Sequence, residues 1–162
     1  MARSTSPLRY PGGKTTLYPL VAEIIRVNGY ERRPYVEPFA GGGGLALSLL
    51  YGGHVSDLYL NDVDKTIWAF WYSVLYRTDE LINKIMECEI SIDEWQRQRA
   101  IHANRTQHDT LDVGFSTFFL NRTNRSGIIE GAGVIGGIKQ EGKYKIDCRL
   151  NRKELSKKIA RI

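Results

Sequence analysis

Four consecutive glycines, Gly41 to Gly44, stand between two short apolar runs and constrain this chain more than any other feature. Glycine adopts the dihedrals of a sharp turn at no steric cost, and a side chain there would hold a ligand off the backbone amides. Upstream, Pro34-Tyr-Val-Glu-Pro-Phe39 reads as a strand; downstream, Leu45-Ala-Leu-Ser-Leu-Leu50 reads as a helix that Gly52-Gly53 stops. Val55 to Asn61 reads as a second, buried strand through Leu58, Tyr59 and Leu60. Asp62-Val-Asp64 caps the next helix, in which Ile67, Phe70, Trp71, Val74 and Leu75 recur at helical period. Strand, glycine loop, helix, strand, helix predicts a βαβ beginning and a parallel α/β sheet.

Gly41 to Ala46 matches G-x-G-x-x-A in the strand-to-helix context that gives this pattern meaning. Asp62 follows Gly41 by 21 residues at the end of the second strand, where a carboxylate can accept from both hydroxyls of a ribose. Together they predict a nucleoside-containing cofactor and leave NAD and S-adenosylmethionine both open.

The remaining residues read as mostly helical. Leu81, Ile82, Ile85 and Met86 predict a short helix, and Ser91-Ile-Asp-Glu94 has capping-box spacing before a helix carrying Trp95 and the polar stretch 96–105. Leu111, Phe115, Phe118 and Phe119 repeat the helical face; Asn121-Arg-Thr-Asn-Arg-Ser-Gly127 breaks it as a polar loop and opens a glycine-rich stretch to Gly142. Tyr144 to Asn151 alternates like a strand, and a basic helix from about Lys153 to Ile162 closes the chain.

At 162 residues and 18.4 kDa the chain fits one domain. No apolar run reaches membrane-helix length and the first residues hold no apolar signal core, so a cytoplasmic protein is expected. Cys88 and Cys148 lie far apart with no neighbouring ligand, which suggests neither a metal site nor a disulfide framework. Basicity is confined to one half. Residues 1–90 hold 9 Lys and Arg against 10 Asp and Glu, whereas residues 91–162 hold 14 against 8. From Asn121 onward there are 11 basic and 4 acidic residues, which predicts a polyanionic partner for this end.

Four blocks carry a resemblance: Pro7-Leu-Arg-Tyr-Pro-Gly-Gly-Lys14, Val36-Glu-Pro-Phe-Ala-Gly-Gly-Gly43, Leu60-Asn-Asp-Val-Asp64, and Phe118-Phe-Leu-Asn-Arg122 with Ser126-Gly127. In this order they resemble the Dam-type (D12 class) N6-adenine DNA methyltransferases. The resemblance implies a Rossmann-like S-adenosylmethionine-dependent methyltransferase sheet, incomplete here, with a mostly helical target-recognition region. Residues 1–78 would form the cofactor-binding part and residues 79–162 the target-recognition part. Tyr10 and Lys14 would line the cofactor pocket, Tyr10 standing where many Dam enzymes carry Trp. Phe39, Gly41 and Gly43 fall on the family's F-x-G-x-G loop, which holds the methionine part, and Asp62 would take the ribose.

On the DNA side, Asn121, Arg122, Asn124, Arg125 and Ser126 offer donors and acceptors suited to phosphate and base-edge contacts on double-stranded DNA. Lysines and arginines from Lys139 to Lys158 add phosphate affinity. Dam itself has Tyr-Asn where this chain has Arg125-Ser126, and an arginine where it has Glu130, so the target GATC is not implied.

The family grips its flipped adenine with Asp-Pro-Pro-Tyr. All five prolines here, Pro7, Pro11, Pro19, Pro34 and Pro38, lie in the first 38 residues and none are adjacent, so that motif does not occur. The expectation is a truncated or split enzyme, its C-terminal catalytic part absent or supplied by a second chain, showing little transfer alone. The alternatives are a cofactor- and DNA-binding module without catalysis, and an NAD-binding oxidoreductase. Unpaired sheet edges would lower solubility. His54, His102 and His108 have no recognisable partners in the sequence.

Overall fold

The computed structural model describes residues 5–162. Strand β1 (Arg33–Glu37) pairs in parallel with β2 (Val55–Leu60), and helix α2 (Gly44–Tyr51) makes the crossover that parallel neighbours need. Val36 stands opposite Tyr59 and Glu37 opposite Leu60, with an irregularity between Arg33 and Tyr35. Pairing continues beyond both strands: Asn61 N donates to Glu37 O at 3.0 Å and Ala40 N to Asn61 O at 2.8 Å. Parallel strands end on the same side, so the glycine loop after β1 and Asp62 after β2 meet at one edge of the ribbon.

One face of this ribbon is covered by α1 (Tyr18–Val27), whose Ala22 and Ile25 pack with Leu45 and Leu49 of α2 and Val55 of β2. The larger core lies among α3 (Lys65–Tyr76), α4 (Thr78–Glu87), α5 (Ile92–Ala103), α6 (Thr110–Thr123) and α7 (Arg152–Ile159). Its centre is the pair α3 and α6, where the Phe70 and Phe118 rings stack with centroids 6.2 Å apart. Phe118 and Phe119 are fully buried, and truncating either to alanine costs about 3–5 kcal/mol. This cluster runs from Leu8, Ala40 and Leu47 to Leu81, Leu155 and Ile159, so residues on either side of position 78 share one core.

Local signals placed most elements. The Asp64 carboxylate accepts from Thr66 N at 2.8 Å and starts α3; Ser91 Oγ accepts from Glu94 N at 3.2 Å and starts α5. Four expectations change. Strand β2 is not buried along its length: Val55 is buried but Tyr59 is 61% exposed. Helix α1, with Pro19 in its first turn and Tyr18, Val21, Ala22 and Ile25 on its inner side, was not anticipated. Residues 121–123 are not loop but the buried last turn of α6. Residues 144–151 form turns rather than a strand, because only Ile146 and Leu150 are buried while Tyr144 and Cys148 face solvent, a spacing of four and not two. Gln140 holds that stretch: its amide donates to Ile135 O at 2.8 Å and Gly137 O at 2.6 Å, and its Oε1 accepts from Ile146 N at 2.8 Å.

The regular sheet among the described residues is this two-stranded parallel ribbon, and with the helices it makes a mixed helix and strand architecture that keeps the expected βαβ beginning. No helix among them is long and apolar enough to cross a membrane.

Candidate functional site

At the shared edge of the two strands the chain turns tightly, Gly43 N donating to Ala40 O at 2.7 Å. Gly41 and Gly43 have φ of +48° and +63°, a region that side chains with a Cβ rarely enter. Two rings grip the loop. Below it, Trp71 of α3 donates its indole N–H to Gly41 O at 2.8 Å, and a Cβ on Gly43 would come within 2.6 Å of the same ring. On the other side the Tyr10 ring would lie 2.9 Å from a Cβ on Gly41. Helix α2 starts here without a side-chain cap, which leaves its first N–H groups to solvent or a ligand.

Asp62 closes the arrangement. Its Oδ2 accepts from Gly41 N at 2.7 Å and its Oδ1 from Asp64 N at 3.0 Å, so one carboxylate ties the loop to the end of β2. Each oxygen keeps a second lone pair for a ligand hydroxyl. The resulting pocket of about 340 Å³ is lined by Tyr10, Lys14, Glu37, Phe39, the four loop glycines and Asp62. All six residues expected around a cofactor, Tyr10, Lys14, Phe39, Gly41, Gly43 and Asp62, therefore meet in one cavity. Phe39 is largely exposed at its mouth. Burial and the Asp62 and Asp64 carboxylates push the Tyr10 phenol up from its ordinary pKa, which keeps its proton in place.

Glu37 and Trp71 were not singled out from the sequence. Lys14 Nζ lies 2.8 Å from Glu37 Oε1 and donates to Phe39 O at 2.5 Å. The Glu37 side chain is only 4% exposed, yet its Oε2 has no hydrogen-bond partner. A buried carboxylate oxygen without a donor is costly, so beside a cavity it is a ready acceptor for a ligand N–H. Trp71 had merged into an apolar helix face; the sequence signal for it is a tryptophan on the helix that follows the acid.

The residues expected to meet DNA divide into two groups. Asn121, Arg122 and Asn124 are buried and satisfy backbone. Asn121 Oδ1 accepts from Arg9 N at 2.8 Å while its Nδ2 donates to Arg9 O at 2.9 Å and Gly127 O at 2.8 Å. Arg122 donates Nε and Nη2 to Pro7 O at 3.0 and 2.5 Å. Asn124 accepts from the Trp95 indole at 2.7 Å and donates to Ile128 O and Ile129 O. Arg125 and Ser126 are exposed, Ser126 at φ +57° in the turn Arg125–Gly127. Because Asn121 fixes Arg9, the residue before Tyr10, the polar segment and the pocket at the glycine turn are joined through one covalent neighbour.

Two histidines do have partners. His54 Nε2 lies 3.0 Å from the Tyr18 hydroxyl, and buried His102 places Nε2 3.1 Å from Glu130 Oε1. Burial holds the His102 imidazole below its usual pKa, with Glu130 opposing.

The model of the D12 class N6 adenine-specific DNA methyltransferase family matches residues 10–159, nearly the whole chain. Type II methyltransferase M.MjaIII of Methanocaldococcus jannaschii is 25% identical over 133 residues, covering 75% of this chain and 46% of that protein. The chain thus spans about half the length of the curated relative it matches.

Proposed function

The chain belongs to the D12 class of N6-adenine-specific DNA methyltransferases, and from that premise we propose that it carries the methyl-donor site and DNA-facing segment of an adenine-N6 methyltransferase. The donor is S-adenosylmethionine and the partner is double-stranded DNA. Family membership sets aside the NAD-dependent oxidoreductase. The observation that carries the reading is the bond from Gly41 N to Asp62 Oδ2, which joins glycine turn and acid into one pocket.

The cavity suits the donor's chemistry part by part. Asp62 accepts the ribose hydroxyls through its free lone pairs, and the bare turn at residues 41–44 admits the ligand to backbone amides. Glu37 Oε2 suits the ammonium of the methionine part, with Lys14 limiting the negative charge beside it. Phe39 and Tyr10 cover the pocket with aromatic surface. When bound, the donor supplies an electrophilic methyl on a sulfonium sulfur. The chain's own residues orient it and exclude water.

On the DNA side, Arg125 and Ser126 make the direct contacts of the turn, while Asn121 and Asn124 hold that turn in place and Arg122 holds the Pro7 carbonyl. Residues 1–78 supply the donor site and residues 79–162 the DNA-facing part. The two-stranded ribbon is read as part of a Rossmann-like sheet in a cytoplasmic enzyme. Adenine must leave the duplex to present N6. No Pro-Pro pair occurs in these 162 residues, so the groups that grip the extruded amino group come from other residues or a second chain.

Transfer of a labelled methyl group to mixed-sequence duplex DNA tests this. Residues 1–162 alone are expected to bind donor and duplex with little transfer. Robust N6-methyladenine formation by them would overturn the division of labour, and failure to bind either ligand would overturn the reading as a whole.

A further inference from the structure

Behind the glycine turn, away from Asp62, a second cleft of about 190 Å³ is lined by Ser6, Arg9, Thr15, Gly42, Arg122 and Lys158 among others. It is too small for a nucleoside and unusually rich in positive charge. Arg122 is 8% exposed, and its Nε and Nη2 are given to a neutral carbonyl, that of Pro7. Arg9 has its Nη1 buried without any hydrogen-bond partner. Among the described residues no carboxylate lies within salt-bridge distance of Arg9, Arg122 or Arg149.

These cations also repel one another. Burial, Arg9 and Arg149 together bring Arg122 down to about 10, and burial and Arg149 lower Arg9. Glu154 offsets part of this at a distance while sitting 3.8 Å from Lys158. A buried cation without a counter-charge is strongly destabilising. The pattern is that of a binding site waiting for an anion.

We infer that this cleft binds a phosphate-class oxyanion, with the Arg9 and Arg122 guanidiniums as its cationic walls and the Thr15 hydroxyl as a further donor. Planar guanidinium donors match tetrahedral oxyanions in geometry and charge. The cleft volume fits one such group. Its source is either free inorganic phosphate or a phosphate of the DNA backbone, and the cleft adjoins the donor pocket, sharing Tyr10, Gly13, Gly42 and Gly44 with it.

The test uses the full chain and Arg9→Gln, which keeps the backbone clamp to Asn121, with Arg33→Gln at the far end of β1 as the charge control. Inorganic phosphate at a hundredfold excess over Kd, against chloride at equal ionic strength, should raise the wild-type unfolding midpoint by roughly 5–10 °C. Arg33→Gln should keep that rise and Arg9→Gln should lose it, which identifies free phosphate. If a backbone phosphate is the occupant, the salt dependence of duplex binding should fall by roughly one unit of slope in Arg9→Gln. In phosphate-free buffer Arg9→Gln should melt no lower than wild type, since a like-charge repulsion has been removed. Identical phosphate and duplex responses in Arg9→Gln and wild type would overturn the inference, as would a lower midpoint for Arg9→Gln without phosphate. Phosphate binding requires neither methyl donor nor transfer, so its outcome is independent of the function proposed above.

Discussion

Replacing Gly43 with alanine tests whether the turn is held by geometry as well as composition. At φ +63° a Cβ costs about 1–2 kcal/mol in any surroundings. At this position it would also meet Trp71 Cζ2 at 2.6 Å and Cη2 at 2.9 Å. Trp71 cannot swing aside freely: it is buried, and its indole is bonded to Gly41 O. Overpacking of this kind adds about 1–3 kcal/mol, so Gly43→Ala should lose about 2–5 kcal/mol in all. Gly53→Ala separates the two contributions, because Gly53 has φ +72° and nothing within 4 Å of a new Cβ. Thermal unfolding should therefore place Gly43→Ala roughly 2–12 °C below Gly53→Ala. Equal midpoints for the two variants would refute the claim that Trp71 packs under the turn.

Lys14→Met should destabilise by about 1–3 kcal/mol, because it strands the buried Glu37 carboxylate, and adding Glu37→Gln should recover most of the loss; denaturant melts showing simple additivity would contradict this. Trp95→Phe removes the donor to Asn124 and should cost about 1–3 kcal/mol while speeding amide exchange across residues 125–134; unchanged exchange there would count against Asn124 as the anchor of that segment. His102 binds a proton less readily when folded than when unfolded, so its contribution to stability is present above about pH 6.5 and is lost as pH falls towards the folded value. Urea midpoints between pH 7.5 and 5 should decline more for wild type than for His102→Gln; a wild type that gains stability on acidification relative to the variant would reverse the sign.

The first half of this fold was largely legible because its signals are local. The glycine turn, the Asp64 and Ser91 caps and the period of Ile67, Phe70, Trp71 and Val74 each lie within a few residues of what they specify. Asn121, Arg122 and Asn124 were legible as residues that matter but not in their role. Arg9, the partner of Asn121, and Pro7, the partner of Arg122, lie 112 and 115 positions away, and Asn124 takes the Trp95 indole from 29 positions away, pairings that only the folded chain reveals. A polar cluster following an aromatic helix has the composition of a loop, and only those distant carbonyls make it the buried end of a helix. The apparent strand at residues 144–151 failed for a related reason: alternation in hydrophobicity cannot separate a strand from turns held together by one glutamine. In the pocket at the glycine turn, the glycines and Asp62 carry a known spacing. Glu37 and Trp71 act through burial and one long-range bond each, which spacing does not encode.

Calorimetric titration of the chain with S-adenosylmethionine, in wild type and Asp62→Ala, with NAD as the comparison ligand, addresses the pocket itself. Single-site binding of the methyl donor is expected, weakened at least tenfold in Asp62→Ala with DNA affinity nearly unchanged, and no comparable binding of NAD. Undiminished donor binding in Asp62→Ala, or equal binding of NAD, would contradict the account.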